Sequence, residues 1–165
     1  MAFENNVPTL HGEMVDAARE ISERRAATIS RMVDEAAKHG LDDQFAYDAV
    51  ADYGVDNAKA FRKTMKDPDS FQEFIDEFGT DHNREIYEME TVTKNENELR
   101  IDFHYCPYVT QWVKQGKNEK EIARLCEIAM AGDHSFSAQF PHVKFDLEGT
   151  IADGNPTCVL RFTRK

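Results

Sequence analysis

The chain has 165 residues, of which 41% are hydrophobic and 31% charged, with a formal net charge of −11. That length suits one domain with a core of its own, and the composition excludes an intrinsically disordered chain. The acid excess argues against nucleic acid and against anionic membrane surfaces, both of which need concentrated basic residues.

The N-terminal stretch "MAFENNVPTLHGEMVD" has neither the basic start nor the apolar run of a secretory signal. No segment approaches the roughly 18 apolar residues of a membrane span. The three cysteines are an odd number in a chain without a signal, so they do not read as a disulfide framework. A reducing cytoplasm is the expected setting. The expected partner is a small-molecule substrate, with no nucleic acid and no membrane, and with homo-oligomerisation left open.

The first half predicts helices. Met14, Ala17, Ala18, Ile21, Thr28, Ile29, Met32, Val33 and Ala36 recur mostly at spacings of three and four, and "KHG" at 38–40 supplies a basic last turn and a glycine stop. A second helix is predicted over about 43–65, with Gly54 as a candidate break. A third opens at "DPDSF" and buries Phe71, Phe74, Ile75 and Phe78 before Gly79.

Near Arg84 the period switches to two. "EIYEMETV" and "ELRIDFHY" flank the polar "TKNEN" and predict an antiparallel hairpin. In its second strand, alternation puts Leu99, Ile101, Phe103 and Tyr105 on one face, and Arg100, Asp102, His104 and Cys106 on the other. Pro107 ends the pairing and "YVTQWVKQG" predicts a short helix. "NEKEIARLCEIAMAGD" predicts a longer one, with Asn118 and Glu121 spaced as a capping box. Two strands, "HVKFDLEGTIA" and "TCVLRFTR", follow around "DGNP". The predicted class is α+β in a single domain, 1–165. N-terminal helices (1–82) pack with an antiparallel sheet of about four strands, interrupted by a helical pair (83–165).

Each cysteine has a structural and a chemical reading. Cys126 lies on the stripe Ile122, Leu125, Ala129, Met130, where a free cysteine packs as a small core residue. Asp133 extends that stripe if the helix continues, and a buried carboxylate needs a partner; if Gly132 ends the helix, it only caps the next segment. Cys158 shares a face with Leu160 and Phe162, which favours packing. The face of Cys106 and His104 is either solvated or lines a polar pocket. No spacing matches a zinc motif, a nucleophile elbow or a phosphate loop.

"FHYCPYVTQWVKQGKNEKEIARLCEIAMAGD" followed by "FDLEGTIADGNPTCVLRF" resembles the L-2-amino-thiazoline-4-carboxylic acid hydrolase family over about 86–163. The resemblance rests on an aromatic strand ending in a cysteine, a short helix, a helix with a cysteine and a nearby aspartate, and a final "TIADG" with its cysteine. "QGK" replaces the leucine-glycine usual in the family. Helices followed by a sheet with late cysteines are also similar to the vinyl-reductase-like sensor domains, which implies a non-catalytic small-molecule or metal-binding module as the alternative.

The resemblance implies one constellation of Cys106, Cys126, Cys158 and Asp133. It also implies hydrolytic opening of a cyclic isothiourea, in which water adds at C2 and the ring sulfur leaves. Two mechanisms fit those residues. A cysteine thiolate attacks while Asp133 or His104 moves protons. Alternatively, the cysteines with Asp133 or a histidine such as His134 hold zinc or iron, whose hydroxide attacks. Arg100 or Arg161 is the expected carboxylate anchor, although Arg161 falls on the strand face opposite Cys158. The sulfurs are expected to converge between the sheet and the Cys126 helix, with His104, Asp102 and Arg100 lining the pocket and Phe103 and Tyr105 packing on the opposite face.

Overall fold

The computed structural model describes residues 3–80 and 83–165; the boundary expected at 82 lies outside them. Helices α1 (Glu13–Lys38), α2 (Gln44–Arg62), α3 (Phe71–Glu77) and α4 (Asn83–Ile86) precede strands β1 (Met89–Asn95) and β2 (Glu98–Phe103). Helices α5 (Pro107–Lys114) and α6 (Glu119–Ala138) then separate these from β3 (Val143–Leu147) and β4 (Cys158–Arg164). The sheet is antiparallel with order β1-β2-β4-β3, so β2 and β4 form its centre. This is the expected α+β class. Among the described residues no helix is long and apolar enough to cross a membrane.

The helix signals act where the sequence places them. Gly40, at φ 72°, closes α1: Leu41 N–H reaches Ala36 O and Gly40 N–H reaches Ala37 O, which satisfies two otherwise open carbonyls. Asn118 and Glu121 form the reciprocal cap of α6. That helix runs on through Gly132, so Asp133 stays on its axis rather than capping the next segment.

Gly54 does not break α2. A Cβ there would lie 2.1 Å from Ser135 Oγ and 2.2 Å from Gly132 O, so the glycine lets α2 cross α6 at backbone contact. Ser135 Oγ donates to Ala51 O across the same crossing, at 2.6 Å.

The inner face of α1 differs from the expected stripe. Met14, Ile21 and Met32 are exposed, and the buried positions are Val15, Arg19, Ala26, Ser30 and Ala36. The physical reason is Arg19, a charge that a hydrophobicity pattern counts as outward. Its guanidinium donates to the carbonyls of Ile86, Leu10 and Glu85 and to Glu88 Oε1. Glu88 in turn accepts from Thr9 and Leu10. The same network explains why the expected strand over 85–92 begins only at Met89: Glu85 and Ile86 turn their carbonyls to Arg19, and Glu88 sits at φ 50°.

The core lies between the sheet's inner face (Leu99, Ile101, Leu160, Phe162) and the helices. Phe61 of α2, Phe74 of α3, Phe78 at its end, Phe136 of α6 and Phe162 of β4 pack mostly edge-on or tilted. α1 packs mainly on α5 and α2 on α6, which leaves α1 and α2 only lightly joined.

Candidate active site

Cys106 is the residue on which the site is built. β2 ends at Phe103, and Pro107 forces the preceding residue into extended backbone, so Cys106 adopts φ −131°, ψ 107° as the N-cap of α5. Burial raises its thiol pKa, while the amide N–H groups of Val109 and Tyr108, at the positive end of α5, act to lower it. Asn6 clamps the backbone on both sides: its Nδ2 donates to Cys106 O at 2.9 Å and its Oδ1 accepts from Cys106 N–H at 2.8 Å.

The alternation that paired His104 with Cys106 does not survive the end of the strand. His104 is exposed and contacts Glu90 Oε2 at 2.9 Å. Arg100 is held by both oxygens of Asp102 at 2.8 Å, and Arg161 faces Glu98 and Glu148 at 3.5 and 3.2 Å. These groups occupy the outer sheet face, away from the sulfurs. Phe103, which is partly buried, packs instead on the core cluster, pairs across the sheet with Cys158, and stacks at a tilt on Tyr87.

Cys126 of α6 and Cys158 of β4 lie close enough to Cys106 for a charge on it to raise both their thiols. Burial is the largest cause in each case. Cys126 is pushed up to about 12, opposed by a hydrogen bond with Thr150. Cys158 goes higher still, and Ile151 N–H donates to its Sγ at 3.2 Å. These two are neutral packing thiols around neutral pH.

Asp133 faces inward from α6. Desolvation raises its carboxyl to about 6, opposed by its own backbone N–H and by the charge of Arg25. It influences the phenols of Tyr87 and Tyr108, as Cys106 also does. Burial keeps both phenols protonated: Tyr108 is pushed up to about 12, and Tyr87, hydrogen-bonded to Ser22, goes higher. Cys106 and Asp133 therefore share one neighbourhood with two permanent hydroxyl donors.

The donor set does not suit a metal. Among the described residues no three His, Cys, Asp or Glu side chains are grouped to hold an ion. His134, adjacent to Asp133 on α6, is exposed with its ring against Phe145 at 5.1 Å. It does not join the sulfurs. A cavity of about 170 Å³ abuts the cluster, lined by Phe3, Asn6, Ile151, Gly154, Asn155 and Pro156. None of the three cysteines lines it, but Asn6 holds Cys106 and Ile151 holds Cys158.

Residues missed by sequence reading are Tyr87, Tyr108, Thr150, Asn6, Ser22 and Arg25. The one local signal was "YCPY", where a proline after cysteine announces a helix N-terminus with Tyr108 in its first turn.

The chain matches the family model described as L-2-amino-thiazoline-4-carboxylic acid hydrolase over residues 19–162. The chain belongs to that family. Its fold is also similar to the crystal structure of a trafficking protein particle complex subunit 3 from Naegleria fowleri covalently bound to palmitic acid. That match has a TM-score of 0.55 at 13% identity, covering 89% of this chain and 96% of the other. No curated protein matches the chain by sequence.

Proposed function

We propose that the protein is a hydrolase that opens a small cyclic isothiourea such as L-2-amino-thiazoline-4-carboxylate, with Cys106 as nucleophile and Asp133 as the proton-transfer group. The carrying observation is the juxtaposition of the thiol of the α5 N-cap residue and a carboxyl titrating at about 6 around two shared tyrosines. A carboxyl tuned to that range can accept a proton and return it near neutral pH.

Ionised Asp133 takes the Cys106 proton as the thiolate adds to C2 of the ring. The C2–ring sulfur bond breaks, and the leaving sulfur receives the proton from Asp133. Cys106 is left as an S-amidino thioether. Water then adds at the amidino carbon, and Cys106 leaves as the thiol. The product is N-carbamoyl-L-cysteine, the substrate plus one water. Tyr87 and Tyr108 supply hydrogen bonds to the nitrogen or sulfur on which charge develops.

Incubation with L-2-amino-thiazoline-4-carboxylate is expected to give one N-carbamoyl-L-cysteine per substrate, whose own thiol is the one titratable thiol released. The value of kcat/KM is expected to rise through about pH 6 as Asp133 ionises. Saturable binding without product would refute the hydrolase and favour a non-catalytic small-molecule-binding module.

A further inference from the structure

We infer that Arg25 is the anion-binding residue of this site, and that its ligands are small molecules carrying a carboxylate beside the reacting ring. The inference rests on the reading that the Cys106–Asp133 cluster is the active site.

The arginines expected for this task are already committed on the outer sheet face, Arg100 to Asp102 and Arg161 to Glu98 and Glu148. Along α1 the other arginines have carboxylate partners too: Arg19 with Glu88, Arg24 with Glu20, Arg31 with Asp34. Arg25 differs. Among the described residues its guanidinium forms no hydrogen bond or ion pair; instead it lies over the ring of Tyr53 on α2, 5.2 Å from the ring centre.

Its place on α1 directs it to the site. Arg25 follows Ser22 by three residues, one helical turn, and Ser22 is the hydroxyl bonded to Tyr87. Its charge reaches Asp133 and Tyr108. Arg25 and Tyr53 are exposed while Asp133, Tyr87 and Tyr108 are partly buried, so the cation stands at the solvent side of the cluster, where α1 and α2 are lightly joined.

A guanidinium seated on an aromatic ring engages it with its face. Its edge N–H donors remain free, in a fork that matches a carboxylate bidentately. In a chain of net charge −11, an anionic ligand needs such a local cation, since the long-range field repels it. The Tyr53 seat also holds the side chain in place beforehand, which reduces the ordering cost of binding.

The test is calorimetric titration of the full chain with L-thiazolidine-4-carboxylate and with its carboxamide, rings that lack the C=N bond and are not opened by addition. Wild type is expected to prefer the carboxylate, and Arg25→Gln to weaken carboxylate binding by about 10- to 100-fold, the range for a hydrogen bond to a charged group, with carboxamide binding unchanged. Arg25→Lys keeps the charge without the fork and is expected to fall between. Equal affinity of wild type for the two probes, binding of neither, or a carboxylate preference retained in Arg25→Gln would overturn the assignment. Arg25-dependent carboxylate binding without turnover of the thiazoline would remove the reaction and keep the binding site; turnover with an unchanged KM in Arg25→Gln would do the reverse.

Discussion

Replacing Asp133 by asparagine is expected to stabilise the protein above pH 6 while removing most of its turnover. The carboxyl titrates at about 6 in the fold against 3.8 as a free side chain, chiefly because it is desolvated. Below pH 3.8 it is neutral in both folded and unfolded states, and burial carries no ionic penalty. Between 3.8 and about 6 the unfolded chain ionises first, so stability falls as pH rises. Above about 6 the native carboxylate is charged as well, and the penalty levels off at roughly 3 kcal/mol, from 1.36 kcal/mol per tenfold change.

Asparagine abolishes this titration but brings an amide that itself needs partners. The net gain at pH 8 is therefore expected to be roughly 1–3 kcal/mol, a rise in Tm of several degrees, with the pH dependence between 4 and 6 flattened. Turnover is expected to drop by about 10²- to 10⁴-fold, the usual cost of losing a positioned acid or base. Thermal melts at pH 4, 6 and 8 beside the kinetics check both. A variant less stable than wild type at pH 8 would show that the carboxylate is held by favourable partners, and would remove the strain that tunes it.

Arg19→Ala is expected to have the largest effect on stability. The guanidinium, with a side chain only 5% exposed, donates to three backbone carbonyls and to Glu88, itself 8% exposed, and lies over the Tyr105 ring at 4.8 Å. Removing it leaves those carbonyls unsatisfied and the Glu88 carboxylate buried without its counter-charge. Breaking a buried pair in this way costs about 3–5 kcal/mol, a large share of the 5–15 kcal/mol that holds a domain together. Denaturant melts should show the midpoint falling steeply. Arg19→Lys is expected to recover only part of the loss, since an ammonium cannot span carbonyls on both sides. A loss below about 1 kcal/mol for Arg19→Ala would mean that water replaces the network.

The contrast between Arg19 and the cysteines shows what a sequence carries. The α+β order was legible because the hydrophobic period changes near Arg84, and the cap and stop signals at Asn118 and Gly40 act locally. The expectation that Cys106, Cys126 and Cys158 form one constellation came only from family resemblance, because each spacing by itself fits a core. Beyond the "YCPY" signal for Tyr108, the roles of Arg19, Arg25 and Tyr87 were not legible. These residues come from separate segments, α1, the turn after α4 and α5, and no local spacing records a contact made by tertiary packing.

His104 and Cys106 were wrongly paired for a specific reason. Strand alternation was carried three residues past Phe103 to Cys106, where the chain has left the sheet for the turn into α5; His104 keeps the outer face with Glu90, and Cys106 does not follow it. The proline at 107 already held the information needed to stop it.

The most direct measurement is peptide mass analysis of the protein quenched in acid during turnover of L-2-amino-thiazoline-4-carboxylate. A covalent nucleophile at the N-terminus of α5 should give a substrate-sized adduct on the peptide containing Cys106, absent from Cys106→Ser, with Cys126 and Cys158 unmodified. An adduct on either of those thiols, or wild-type turnover by Cys106→Ser, would contradict it.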